Sequence, residues 1–256
     1  MSIKKSDDRY DDIIEELKIR CEDCSGLCCV ALYCMKSDGF PANKAAGVPC
    51  KHLMPDFRCN MHSRLAEKNM KGCLSYDCFG AGQKVTQLCY PDKNWQSHPE
   101  KADEIFQVFI KVYRLHQMAW YLLESLSLTL DEKLIAEIHQ LIELNQRMTW
   151  EPPEKILTSD MDGYKARVND VLKQVSSNVK TRHQGKDYSM KMMLGATLNG
   201  AKLNKSNFLG TDIRDANLRN ADLSDCIFLT QMQINSAKGN SGTKLPDRLT
   251  RPPFWE

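Results

Sequence analysis

Between residues 191 and 230 the chain repeats itself every five residues. Cut into fives from Lys191, the central positions are Met193, Leu198, Leu203, Phe208, Ile213, Leu218, Leu223 and Phe228, all large and apolar. Two residues before each centre stand Lys191, Ala196, Ala201, Ser206, Thr211, Ala216, Ala221 and Cys226, and seven of these eight are small. An amphipathic helix repeats roughly every 3.6 residues and a half-buried strand about every two. A period of five satisfies neither. The segment must fold as a repeat architecture, in which each short unit covers its neighbours.

The stretch Ala216-Asn217-Leu218-Arg219-Asn220-Ala221-Asp222-Leu223 resembles the pentapeptide-repeat proteins. The resemblance implies a right-handed quadrilateral β-helix, with each pentapeptide forming one side. The central residue and the small residue two before it would face inward, which places Cys226 in the core. Four pentapeptides would close one coil, and two coils at strand spacing give a rod about 10 Å tall. So short a stack exposes both ends and needs caps. The preceding helices are expected to cover one end. The tail from Gln233 to Trp255, with Phe254 and Trp255 as apolar anchors, is expected to cover the other. Some members of that family mimic DNA and protect topoisomerases, which needs a long acidic rod. Here residues 191–230 carry Asp212, Asp215, Asp222 and Asp225 against Lys191, Lys202, Lys205, Arg214 and Arg219. That balance argues against mimicry.

A second stretch is organised by cysteine. Nine of the eleven cysteines fall within residues 21–78: Cys21, Cys24, Cys28, Cys29, Cys34, Cys50, Cys59, Cys73 and Cys78. This interval has few large aliphatic residues and many turn formers, among them Gly26, Gly39, Pro41, Gly47, Pro49, Pro55 and Gly72. It cannot order itself by apolar burial, so disulfides or metal must hold it. Met1 to Arg20 is charged, with no apolar signal segment, and no uncharged run approaches the length of a membrane span. A cytoplasmic, reducing location is therefore expected, where clustered cysteines favour metal over disulfides.

The order Cys21-x2-Cys24-x3-Cys28-Cys29, Cys50, Arg58-Cys59 and Cys73 resembles the YkgJ-type CxxCxxCC family of zinc- or iron-chelating proteins. The resemblance covers about a quarter of the chain. It departs in the extra residue between Cys24 and Cys28 and in lacking an Arg-Pro before the last cysteine. The expected ligands are Cys21, Cys24, Cys28, Cys29, Cys50, Cys59, Cys73 and Cys78, for a zinc ion or alternatively iron or an iron–sulfur cluster. Cys34 and Cys89 lie outside the pattern and are expected to be dispensable. His52 and His62 stand near cysteines as further ligand candidates or as ordinary surface histidines. Lys51, Arg58, Arg64, Lys68 and Lys71 are placed in sequence to offset thiolate charge. Gly80-Ala81-Gly82 reads as a tight turn, since no strand precedes it.

Between these parts the pattern is helical. Ile13, Ile14 and Leu17 make one stripe over residues 7–20. Ser97-His98-Pro99-Glu100 reads as a capping box opening a helix to about Leu126, apolar on more than one face. A second helix starts at Thr129–Glu132, with Leu134, Ile138, Leu141 and Ile142 inward. Pro152 and Pro153 stop it. Residues 153–183 carry a weaker pattern, with Val168, Val171, Leu172 and Val175 inward.

The expected fold is α+β and multidomain: a Cys-rich metal-stabilised domain over residues 1–95, a helical connector over 96–185, and a short β-helix with its cap over 186–256. The net charge of +2, with 42% hydrophobic residues and a mean hydropathy of −0.48, fits a soluble chain and disfavours nucleic acid as partner. No catalytic motif is present: no nucleophile triad order, no His-Glu-x-x-His, no phosphate loop. The expectation is a bacterial, non-catalytic interaction or scaffold protein that binds metal and has a protein partner. The alternative is an iron–sulfur or zinc enzyme working at the cysteine cluster. The pairing of the two parts also resembles bacterial pentapeptide-repeat proteins described near antibiotic-resistance genes.

Overall fold

The computed structural model of the chain describes residues 8–182 and 185–255. The part of the expected leading helix before Asp8, and His183, lie outside them. Its helices are α1 (Asp11–Glu16), α2 (Leu27–Ala31), α3 (Lys71–Ser75), α4 (Ala81–Lys84), α5 (Ala102–Leu128), α6 (Glu132–Trp150), α7 (Pro153–Thr158), α8 (Met161–Arg182) and α9 (Gln231–Ser236).

The long helix α5 sits at the centre because it is apolar on more than one face. Ile105, Val108, Phe109 and Val112 pack with Leu27, Val30 and Ala31 of α2 and with Ala81 and Val85 around α4. Further along, Leu115, Trp120 and Leu122 join Leu134, Ile138 and Leu141 of α6 and Val168, Val171 and Val175 of α8. Tyr10, Ile13 and Leu17 come into the same core from the N-terminal side, and Ile227 and Phe228 from the repeat. Each such side chain contributes about 1.5–3 kcal/mol by leaving water.

Helix ends follow local chemistry, with two departures from the sequence pattern. Asp131 caps α6, accepting from Lys133 N–H at 3.0 Å and Leu134 N–H at 3.2 Å. Ser97 does not form its capping box. Its hydroxyl donates to the Asn94 carbonyl at 3.3 Å and contacts His98 Nδ1 at 2.9 Å, so a Pro99–Lys101 turn of 3₁₀ type leads into α5. The leading helix stops at Glu16 rather than reaching Arg20. Gln83 takes the next backbone groups, donating to Lys18 O at 2.6 Å and accepting from Arg20 N–H at 2.9 Å.

The β-helix expected at the C-terminus is corrected by the structure, and the α+β class with it. Among the described residues there is no β-strand and no sheet; the regular structure is helical. The repeat instead makes turns joined by isolated one-residue bridges, such as Met192 with Asp212, Thr197 with Asn217 and Lys202 with Asp222. The reason is backbone geometry. Met190, Gly195, Gly200, Lys205, Gly210, Asp215, Asn220 and Asp225 all have positive φ. A left-handed residue at every fifth position cuts each extended run before a strand can form.

The bridged residues are twenty apart, so four pentapeptides carry the chain once round. Leu203, Phe208, Ile213, Leu218 and Leu223 are buried in its interior, as is Cys226 at a small-residue position. At the last centre the register shifts, Phe228 turning into the helical core while Leu229 fills the interior. The tail continues the stack, with Asn217 bridging to Lys238 and Asp222 to Lys244. Trp255 closes it, donating from Nε1 to Ala237 O at 3.1 Å. A Cβ on Gly239 would lie 2.2 Å from the Trp255 ring, so glycine makes room for that ring. The helices do not cap the opposite end. They meet the stack at its side, through Ile227 and Phe228, and leave Met190, Met192 and Leu194 of the first turns exposed.

Candidate metal centre

The cysteine-bearing segments are placed by the elements they flank. A left-handed Gly26 opens α2, and a Cβ there would lie 2.7 Å from Leu53 Cδ1. The helix buries Leu27, Val30 and Ala31 against α5 and holds Cys28 and Cys29 in sequence, their sulfurs 3.9 Å apart. Just before it, Ser25 is fixed from three sides. Its N–H donates to Thr86 Oγ1 at 3.0 Å, its hydroxyl contacts that oxygen at 3.1 Å, and its carbonyl accepts from Trp95 Nε1 at 2.8 Å. Cys21 lies in an exposed turn held by Arg58, which donates to Cys21 O at 2.8 Å and Glu22 O at 2.5 Å. Gly82 opens room on α4: a Cβ there would lie 2.6 Å from Cys24 Sγ and 4.0 Å from Cys78 Sγ.

The loop from Leu32 to Met70 has little helix and a small apolar core of Met61, Leu65 and Met70, with Cys59 and Cys73 packed against it. Backbone pairing joins Cys34 to Lys44 and Leu53 to Cys59. Cys50 N–H donates to Cys29 O at 2.9 Å. Lys44 fastens the loop, its Nζ donating to the carbonyls of Val30 (3.2 Å), Leu32 (2.6 Å), Ala45 (3.1 Å) and Val48 (2.8 Å). Nothing in the local pattern marks Lys44 for this role, because two of its four partners, Val30 and Leu32, are reached only when the loop folds back on α2.

The thiols share two kinds of surroundings. Burial pushes Cys73 up to about 12, and the nearby Cys29, Cys34, Cys50 and Cys59 add to the rise. Burial also pushes Cys78 up to about 12, with Asp77 and Cys24 adding. Cys28 is raised by donating its hydrogen bond to Cys29, then by burial, with Cys24 and Cys78 contributing. Cys29 is lowered by that same hydrogen bond and by Lys44. Burial raises Cys24, Cys59 and Cys78 alike, and each of these sulfurs accepts a pair of backbone N–H groups that partly offsets the rise: Cys24 from Gly26 and Leu27, Cys59 from Met61 and His62, and Cys78 from Gly80 and Gly82. Amides directed at sulfur stabilise thiolate and are a usual outer shell of metal–thiolate sites.

All eight expected ligand cysteines therefore lie in one continuous region, and all eleven cysteines are free. Among the described residues, no three His, Cys, Asp or Glu side chains converge closely enough to hold a metal ion as placed. His52 contacts Asn60 Oδ1 at 3.2 Å through Nδ1, and His62 is exposed. Cys34 is buried, and Cys89 packs in the apolar cluster that includes Cys24, Cys28 and Cys78. Of the five expected charge partners, Arg58 lies beside Cys21, but burial and then Cys24, Cys29 and Glu22 raise that thiol and Arg58 offsets the rise only in part. Lys68 pairs with Glu67 at 2.9 Å, Lys71 with Asp215 at 2.6 Å, and Arg64 donates to Met61 Sδ at 3.3 Å. The role of Gly82 was readable only as a turn; the approach of two sulfurs to it depends on tertiary contact.

Comparison with known proteins agrees with the repeat and extends beyond it. The family described as Pentapeptide repeats matches residues 193–228, in eight copies. The chain is 38% identical over 272 aligned residues to a Bacillus subtilis (strain 168) protein named "Uncharacterized protein YybG". That similarity covers 96% of this chain and 98% of the relative. No solved structure matches the chain. No described helix is long and apolar enough to cross a membrane.

Proposed function

The chain belongs to the family of Bacillus subtilis YybG, and from that premise we propose that it is a non-catalytic interaction protein whose cysteine region is held by bound metal. The observation that carries the metal reading is the set of backbone amides directed at the sulfurs of Cys24, Cys59 and Cys78. Such donors favour the deprotonated thiol that a metal needs. The donor set is all sulfur in type, which suits zinc with four thiolates and also an iron–sulfur cluster. The resemblance to the YkgJ-type family supports Cys21, Cys24, Cys28, Cys29, Cys50, Cys59 and Cys73 as ligands, and Cys78, beside Cys24 at Gly82, completes the pool. The bound metal would supply folding energy to a loop with little core.

The repeat supports the interaction role. It presents mixed charge, including Lys202, Lys205, Arg214 and Asp225, on a stack whose interior is filled by its own residues. The test is purification of the full chain without oxygen, followed by metal and acid-labile sulfide analysis. Colourless protein retaining stoichiometric zinc through gel filtration is the expected result. Protein that retains no metal while remaining folded would defeat this reading.

A further inference from the structure

Cys28 and Cys29 are consecutive on α2, yet their neighbours differ. Cys24, Cys28 and Cys78 lie against the apolar residues that α2 and α4 share with α5. The sulfurs of Cys24 and Cys78 flank the same glycine, Gly82. Cys21 joins this side one turn earlier, its carbonyl accepting from Cys24 N–H at 3.2 Å. Cys59 and Cys73 instead pack with Met61, Leu65 and Met70. Backbone bonds bring Cys29 and Cys50 to that second side. Cys50 N–H donates to Cys29 O at 2.9 Å, Leu53 N–H donates to Cys50 O at 2.9 Å, and Leu53 is bridged to Cys59. Cys34 also lies near Cys29, Cys50 and Cys73, but its thiol is directed at the Leu32 carbonyl at 3.9 Å.

Resting on the metal reading above, we propose that the thiols form two adjoining zinc sites, Cys21/Cys24/Cys28/Cys78 and Cys29/Cys50/Cys59/Cys73, and that the second fastens the cysteine loop to the repeat. The 3.9 Å contact between Cys28 and Cys29 sulfurs makes the two sites neighbours. Their mechanical connections differ. Cys73 belongs to α3, which packs on α9 at the start of the tail that closes the repeat. In the same helix Lys71 Nζ meets Asp215 of the repeat at 2.6 Å. Cys24, Cys28 and Cys78 are anchored to α5 instead. Occupancy of the second site therefore sets whether α3 is presented to α9, while the first site braces the cysteine region against the helices.

The test uses the full chain, zinc-loaded without oxygen, with native mass spectrometry and hydrogen exchange. Two zinc ions per chain are expected. The double variants C24S/C78S and C59S/C73S should each keep one. C59S/C73S should raise exchange in α3 and α9 at least tenfold, and C24S/C78S should leave α9 unchanged. C34S should keep both ions. One zinc per wild-type chain, acid-labile sulfide, or loss of both ions from either double variant with α5, α6 and α8 still protected would overturn the division. Should a double variant fail to fold, cobalt titration of the wild-type chain decides. The sulfur-to-cobalt charge-transfer band is expected to rise linearly to two equivalents, and saturation at one overturns the proposal. No binding of zinc or cobalt at all would remove the metal reading itself, whereas binding at one equivalent removes only the two-site division.

Discussion

The repeat and the cysteine loop are both poor in regular structure, but they are held in opposite ways. In the repeat, the central side chains from Leu203 to Leu223 enter one interior, and Phe208, Leu218 and Leu223 have no exposed surface. In the loop from Leu32 to Met70, the apolar core is three residues, Met61, Leu65 and Met70, and much of the remaining order comes from backbone bonds and Lys44. One region carries its stability in its own periodic residues. The other must borrow it. The lesson is that irregular backbone alone does not reveal what holds a segment; the identity of the inward side chains does.

The largest expected effect separates the two regions by metal removal. Metal binding free energy is folding free energy for such a loop, on the order of 10 kcal/mol for a structural site. A strong chelator should therefore abolish hydrogen-exchange protection across residues 32–75. Residues 27–31 and 81–90 should retain theirs, because Leu27, Val30, Ala81 and Val85 pack on α5. Residues 196–230 should be unaffected. Equal loss of protection in loop and repeat would erase the distinction between them.

The converse perturbation is Leu218→Asp, which puts a carboxylate into a dry interior with no partner. Loss of the leucine contacts and burial of the charge together should cost about 4 kcal/mol or more. The repeat should unfold while zinc content stays constant. Asn204→Asp, one residue past a centre and exposed, should change the melting temperature little. Comparable losses for the two variants would refute the inward register.

A smaller effect probes the seam between helices and repeat. Glu124 of α5 accepts from Phe228 N–H at 2.8 Å and pairs with Arg248 at 2.7 Å. Burial pushes its carboxyl up to about 7, although Arg248 and the Phe228 amide pull it down. The folded state therefore keeps a proton that the unfolded chain has already released. That contribution is fully present below about pH 4.5 and is lost as pH rises to about 7, a change on the order of 3 kcal/mol. Wild-type stability should fall over this window relative to Glu124→Gln, read as slope rather than absolute value, because the glutamine leaves Arg248 without its counter-charge. Parallel denaturation-versus-pH curves would show that Glu124 does not titrate there.

How much could be read beforehand depended on whether the cause was local. Leu134, Ile138, Leu141 and Ile142 define α6 by their spacing, and they are buried as that spacing requires. The five-residue register was equally visible, because each centre is tested against its own repeat. Strand content was not. The φ of Lys205, Asp215, Asn220 and Asp225 is positive, and no residue type announces that as a glycine would. The failed capping box at Ser97 has a competitor, Asn94, three residues upstream. In the cysteine region the ligand candidates were visible as residue types, but their distribution was not. Gly82 beside Cys24 is a consequence of chain segments far apart in sequence, and Lys44 under four carbonyls depends on the loop folding back on α2.

The smallest expected effect concerns the polar tie between loop and repeat. Lys71 Nζ lies 2.6 Å from Asp215 Oδ1, and Lys238 Nζ lies 3.6 Å from the same oxygen. Both lysines hold the Asp215 carboxyl below its usual range, Lys71 more strongly through its hydrogen bond. The pair is partly exposed, so solvent screens it and its contribution is about 1 kcal/mol or less. Lys71→Ala should lower the melting temperature by no more than a few degrees, and the difference should shrink further in high salt. It should not change zinc content, since Lys71 is turned towards the repeat rather than to a sulfur. Lys238→Ala should cost less still, its nitrogen being farther from the carboxylate. A loss of zinc in Lys71→Ala would mean that loop and repeat are one energetic unit, and that the contrast between a self-supporting stack and a borrowed one is drawn in the wrong place.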